Sequence, residues 1–363
     1  MNDVQSRIQS LIDQLCSDGT ERGLQVTVYR EGTLLVDACA GIADPATGAP
    51  VTNRTLFPVF SVGKGMLVTM VYRAIQAGSV ALEMPIAEVW PEFAAHGKGG
   101  VTLRHVLSHT AGIPFMPRGI GYAEVGHWDT MCAAIADQVP VNAPGERANY
   151  HAITVGWILG ETLRRADGRP MPRRFDDEIR CLLGLVDMYV GIPDVVEDRV
   201  AVLECIENYG GDLPDDTQPR AVPGWMGPLT YMMNRPDARR CCNPASNGIM
   251  STAAIARHYA ALLPGGVDGR ELLPPELVAQ ASAPFAVADP VGGYSHWGCG
   301  YPRIGDGTDP EPRRRFGSCG YGGAAGWVDL DRRLGVGIAK NRFNDGDTTG
   351  QIRREIEAAV DAL

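Results

Sequence analysis

Apolar residues recur at helical spacing from the start of the chain: Val4, Ile8, Leu11, Ile12 and Leu15 in MNDVQSRIQSLIDQLCSDG. That period predicts an amphipathic helix, not the continuous apolar core of a secretory leader. Two β-rich runs follow, LQVTVYR at 24–30 and LLVDACA at 34–40. The connector Glu31-Gly32-Thr33 carries a turn glycine and predicts a hairpin. Residues 43–53 are rich in Gly, Pro, Asp and Thr and read as loop. Residues 62–76 are apolar at helical spacing with no internal proline, which puts Ser61 at or near the start of a helix.

From about 80 to 245, Pro and Gly breaks alternate with helical stretches. Two are clear, 102–107 and 152–166, the second with Ile153, Trp157, Ile158 and Leu163 on one face. Residues 211–245 read as loop, and 251–263 as helix with Ser251 or Thr252 as its cap. Strands return at 313–317, 325–330 and 334–340, and a last helix covers 349–363. Strands at both ends of the chain predict an α+β fold: one antiparallel β-sheet flanked by the N- and C-terminal helices, with an inserted, mainly helical lobe. The expected division is a sheet domain from 1–60 and 246–363, and a helical domain with active-site loops from 61–245.

Composition narrows the function classes. The 363 residues carry a net charge of −10, which argues against nucleic acid or an anionic membrane as partner. No apolar run approaches the ~18–20 residues that span a bilayer, so a cytoplasmic protein is expected. The nine cysteines show no metal-clip spacing and read as free thiols.

Only three of the 33 basic residues are lysine: Lys64, Lys98 and Lys340. One of them lies three residues after Ser61, in LFPVFSVGKGMLVTMVYRAI. Residues three apart share a helix face. A serine hydroxyl is a weak nucleophile until a base takes its proton. Lysine is such a base when burial lowers its pKa, and arginine is not. With 11 serines and three lysines in 363 residues, about 0.1 accidental Ser-x-x-Lys match is expected.

Around this motif the chain resembles the class C β-lactamase-like serine hydrolases, a superfamily of β-lactamases, penicillin-binding D,D-peptidases, family VIII carboxylesterases and several acyltransferases. TLFPVFSVGK (55–64) is similar to the nucleophile segment. VTLRHVLSHTAGIP (101–114), APGERANYHAITVGWILGETLRRADGRP (143–170), NPASNGIMSTAAIARHYAALL (243–263) and FGSCGYGGAAGWVDLDRRLGVGIAKN (316–341) match further segments in order. The resemblance implies a β-lactamase/transpeptidase-like fold, Ser61 as nucleophile, Lys64 as base and Tyr150 as second member of the acid/base pair, with either of the two able to take the serine proton. The N–H groups of Ser61 and Tyr321 would form the oxyanion hole, and His151, Ser318, Cys319 and Gly320 would bind substrate.

The chain departs from the family in two motifs. Tyr150-His151-Ala152 replaces Tyr-Ser-Asn, and Ser318-Cys319-Gly320 replaces Lys-Thr-Gly or His-x-Gly. The first loses an amide that would bind a β-lactam. The second loses a cation that would bind a carboxylate. The first suits an esterase; the second implies an uncharged acyl substrate, or one whose charge lies elsewhere. His105 and His109 have metal-ligand spacing but no accompanying Glu, and the family segment explains them as capping and packing residues. Neither metal nor cofactor is expected.

The leading expectation is an acyl-enzyme on Ser61 passed to water, with small esters as substrates. The alternatives are transfer of the acyl group to a second acceptor, an alcohol or amine, and a non-catalytic binding protein on the same scaffold. The aromatic and methionine residues of PFMPRGIGYAEVGHW and PRAVPGWMGPLTYMM are candidates either for a cleft lining or for packing.

Overall fold

The computed structural model describes residues 3–206, 219–284, 298–304 and 315–363. The two strand-rich ends of the chain meet in one six-stranded antiparallel sheet. It contains β1 (Gly23–Arg30), β2 (Thr33–Asp44) and β3 (Ala49–Pro50) from the N-terminal part. From the C-terminal part come β8 (Arg315–Cys319), β9 (Ala325–Asp329) and β10 (Leu334–Lys340), in the order β3-β2-β1-β10-β9-β8. The central pairing sets Leu24 opposite Lys340, Val26 opposite Ile338 and Val28 opposite Val336.

Alternation along these strands assigns the faces. Val26, Val28, Val336 and Ile338 pack with α1 (Asp3–Ser17) and α12 (Thr348–Asp361), which bury Ile8, Ile12, Ile352 and Ile356 in the same cluster. The intervening Thr27 and Gln25 bond instead to Thr252, at the start of α10 (Thr252–Ala260). On that face Gly335 and Gly337 let α10 lie close. A Cβ at either would come within 2.3 or 2.5 Å of α10 backbone atoms. Ser251 caps α10 by accepting from Ala254 N–H.

A second sheet joins β4 (Phe57–Phe60), β7 (Gly248–Met250) and β5 (Met188–Val190) in the order β4-β7-β5. It draws strands from both sides of the division expected at residues 61 and 245. A short parallel pair joins β6 (Glu204–Cys205) to β11 (Arg342–Phe343). The helical side holds α2 (Gly63–Gln76), α3 (Leu103–Leu107), α4 (Trp128–Ala136), α5 (Thr154–Asp167), α6 (Met171–Phe175), α7 (Cys181–Leu183), α8 (Leu229–Met233) and α9 (Pro236–Arg240). α11 (Pro275–Ser282) follows α10 and packs on α2. Among the described residues no helix is long and apolar enough to cross a membrane.

Two expectations need correction. The 43–53 loop contains the end of β2 and all of β3. Within 211–245, residues 219–245 include α8 and α9, while 211–218 lie outside the described residues, as do 313–314 of the strand expected at 313–317. Elements of two to five residues offer too little periodicity to distinguish them from turns.

Candidate active site

β4 ends at Phe60, whose φ of +48° lies in the left-handed region. Non-glycine residues rarely adopt it, and the strain persists only where surroundings enforce it. Here the Phe60 ring packs on Tyr321 and Phe343, with centroids 5.9 and 5.8 Å away. The bend turns the chain from strand towards α2 and leaves Ser61 at the junction.

Lys64 N–H donates to Ser61 C=O at 3.0 Å, forming the first tight turn. The two side chains thereby meet, with Lys64 Nζ 2.9 Å from Ser61 Oγ. Nζ also donates to the carbonyls of Ala152 and Ala245, each at 2.6 Å. Burial, at 8% exposure, pushes the Lys64 amine below its ordinary 10.5, against the opposing influence of the Tyr150 phenol. A neutral amine has two hydrogens and one lone pair. In that form, with the Ala152 and Ala245 carbonyls taking the hydrogens, the lone pair would face the Ser61 hydroxyl. Tyr150 Oη donates to Ser61 Oγ at 3.1 Å, and its ring centroid lies 5.0 Å from Nζ.

Two buried histidines brace the Tyr150 loop. His151 Nε2 accepts Ile113 N–H at 3.0 Å, so its proton is on Nδ1, which donates to Asn149 C=O at 2.6 Å. His109 Nδ1 accepts His151 N–H at 3.2 Å, and His109 C=O accepts Asn149 N–H at 2.9 Å. The His109 ring meets Tyr150 edge-on at 4.9 Å. Burial lowers His151 to about 4 and His109 well below 6.5, the latter helped by His151 and Lys64. His105 sits elsewhere, in a capping box with Thr102 at the start of α3.

The structure therefore does not bring His151 to a substrate. Both ring nitrogens hold backbone groups, and the residue is fully buried. Ser318 is also turned inward: its hydroxyl donates to Ser61 C=O at 2.5 Å and fixes β8 against the serine. The remaining expected contacts, Cys319, Gly320 and Tyr321, do line the cavity beside Ser61. Gly320 passes so close to β4 that a Cβ there would lie 2.1 Å from Val59 O. Its own N–H donates to Ala324 C=O at 2.7 Å.

The cavity has a volume of about 1050 Å³. Ser61 and Tyr150 lie in its wall with Trp157, Met226, Leu229 and Met232. Among the described residues no three His, Cys, Asp or Glu side chains converge as a metal site. Sequence reasoning missed the carbonyls of Ala152 and Ala245, because any residue supplies a carbonyl. It also missed Asn243, whose Oδ1 accepts Ala245 N–H at 2.8 Å and so anchors the residue whose carbonyl meets Lys64. The bracing role of His109 was hidden because it acts across two loops.

The family model described as Beta-lactamase matches residues 8–360. The chain is 30% identical over 345 residues to "Esterase/beta-lactamase LipL" of Mycobacterium tuberculosis, spanning 88% of this chain and 77% of that protein. It is 28% identical to "Esterase EstB" of Burkholderia gladioli over 214 residues, 54% of each. Among solved structures, a family VIII carboxylesterase superposes with a TM-score of 0.88 at 30% identity, covering 100% of this chain and 98% of that one. A penicillin-binding protein homolog from Caulobacter crescentus gives 0.84 at 30% identity with the same coverages.

Proposed function

The chain belongs to the β-lactamase family, and we propose that within it this hydrolase is a carboxylesterase that forms an acyl-enzyme on Ser61. The observation that carries the reading is the setting of Lys64, buried, with two carbonyls at 2.6 Å and Ser61 Oγ at 2.9 Å. Nζ takes the hydroxyl proton as Oγ bonds to the ester carbonyl carbon. Negative charge then develops on the carbonyl oxygen, where the N–H groups of Ser61 and Tyr321 act as the oxyanion hole. On collapse the C–O bond to the alcohol breaks. Tyr150, whose Oη bonds Ser61 Oγ and whose ring centroid lies 5.0 Å from Nζ, gives its proton to the departing alkoxide and recovers one from the lysine. Water repeats the sequence to free the acid and Ser61.

Two features favour an ester over a β-lactam. Ala152 has no side-chain amide, and the Ser318 hydroxyl is committed to Ser61 C=O. Incubation with a fluorophosphonate followed by peptide mass analysis tests the reading. Label should appear on Ser61 and vanish in Ser61→Ala, which keeps its fold. Label on another residue, or none on folded protein, refutes it.

A further inference from the structure

We propose that the substrates are neutral esters with a medium-length or bulky apolar acyl group, and that Met226 and Met232 set this preference. The inference rests on the acyl-enzyme reading above and adds the class of acyl group. Its first support is size. At about 1050 Å³ the cavity lies at the upper end of small-molecule sites, ~300–1000 Å³. An acetyl group on Ser61 would leave most of the wall facing water.

The second support is the wall itself. Trp157, Val222, Met226, Leu229 and Met232 form an apolar surface from α5 and the segment running into α8. Methionine is unbranched and polarizable, so such a surface fits apolar groups of varied shape.

The third support is charge. Arg235 and Asp237 are the oppositely charged side chains among the described lining residues, and they engage each other through two N–H···O contacts of 3.1 and 2.9 Å. The Arg235 guanidinium also lies 4.2 Å from the Tyr122 ring centroid. The lysine in the site faces the serine and two carbonyls. Among the described lining residues, an anionic acyl group would have to compete with Asp237 for Arg235. The apolar wall is assigned to the acyl group because that part remains bound while the alcohol leaves and water enters.

The test is kcat/KM for p-nitrophenyl esters from acetate to dodecanoate. Burying a methylene is worth a factor of about four per carbon. Allowing for incomplete contact, octanoate should exceed acetate at least tenfold. A series that peaks at acetate or butyrate, or in which an ω-carboxylate ester outruns its neutral counterpart, overturns the proposal. So does a gain that appears with octyl acetate and not with octanoates. Met226→Trp and Met232→Trp should each lower the octanoate-to-acetate ratio at least fivefold, and unchanged ratios in both refute the wall assignment. Fluorophosphonate labelling separates the two levels. A short-chain optimum in protein labelled at Ser61 sinks this inference alone, whereas folded protein that does not label sinks the esterase reading with it.

Discussion

Gly320→Ala probes the site at its tightest backbone contact. The added Cβ would stand 2.1 Å from Val59 O, where ordinary contacts begin at 3.4 Å, so the backbone must move by about 1.3 Å. The strain has few places to go. Gly320 N–H is bonded to Ala324 C=O, Gly323 N–H to Gly320 C=O, and Ser318 holds Ser61 C=O. The displacement is therefore shared between these bonds and the peptide joining Gly320 to Tyr321, which the Gly323 N–H holds by its carbonyl and whose N–H is the proposed oxyanion donor. A shift of about 1 Å at a catalytic group costs on the order of 100-fold, and loss of one oxyanion donor ~100- to 1000-fold in kcat. The variant should retain Ser61, Lys64 and Tyr150 yet show kcat lowered in that range, with a smaller change in KM. Steady-state kinetics on one ester, with thermal melting to establish folding, measures this. Gly100→Ala is the control, since a Cβ there meets nothing within 4 Å. A folded Gly320→Ala enzyme within threefold of wild-type kcat/KM refutes the placement of the donor.

Lys64→Arg keeps the charge and removes the transferable proton, so kcat should fall by orders of magnitude; near-normal turnover counts against the base role. Because burial lowers Lys64, activity should rise with pH along a limb centred below 10.5, and a limb centred at or above that value contradicts the neutral-amine mechanism. His151 is held near 4 against 6.5 in the unfolded chain. Below pH 6.5 the unfolded state takes up a proton that the native state refuses, so stability falls towards pH 4 by about 3 kcal/mol from this residue. Urea midpoints from pH 7.5 to 4 should show that slope reduced in His151→Gln, and an unreduced slope removes the assignment. Penicillins and nitrocefin should turn over slowly; fast nitrocefin hydrolysis would mean that Ala152 and Ser318 are misread.

Much of the scaffold was legible because its elements are long. The period of α1, the β1–β2 hairpin and the alternation in β10 each extend over seven residues or more. The pairing of Ser61 with Lys64 was legible for a different reason, since helical geometry fixes the separation of residues three apart. His151 and Ser318 show where legibility ended. Both stand in motif positions that suggested substrate contact, but their partners are Ile113, Asn149 and the Ser61 carbonyl. Those partners lie far away in sequence or in the backbone, where no residue type announces them. The two-residue strands and α8 escaped because they exist through tertiary contacts, not through local period.

The pairing of Leu24 with Lys340 carries a cost during synthesis. The hairpin emerges from the ribosome early, but the strand that completes its inner edge comes last. Until then one margin of β1 offers unpaired amide and carbonyl groups to any passing chain. Assembly of such remote partners is slow. Yield at low temperature or with added chaperone should therefore respond more to changes in β10 than to equally buried changes in α5.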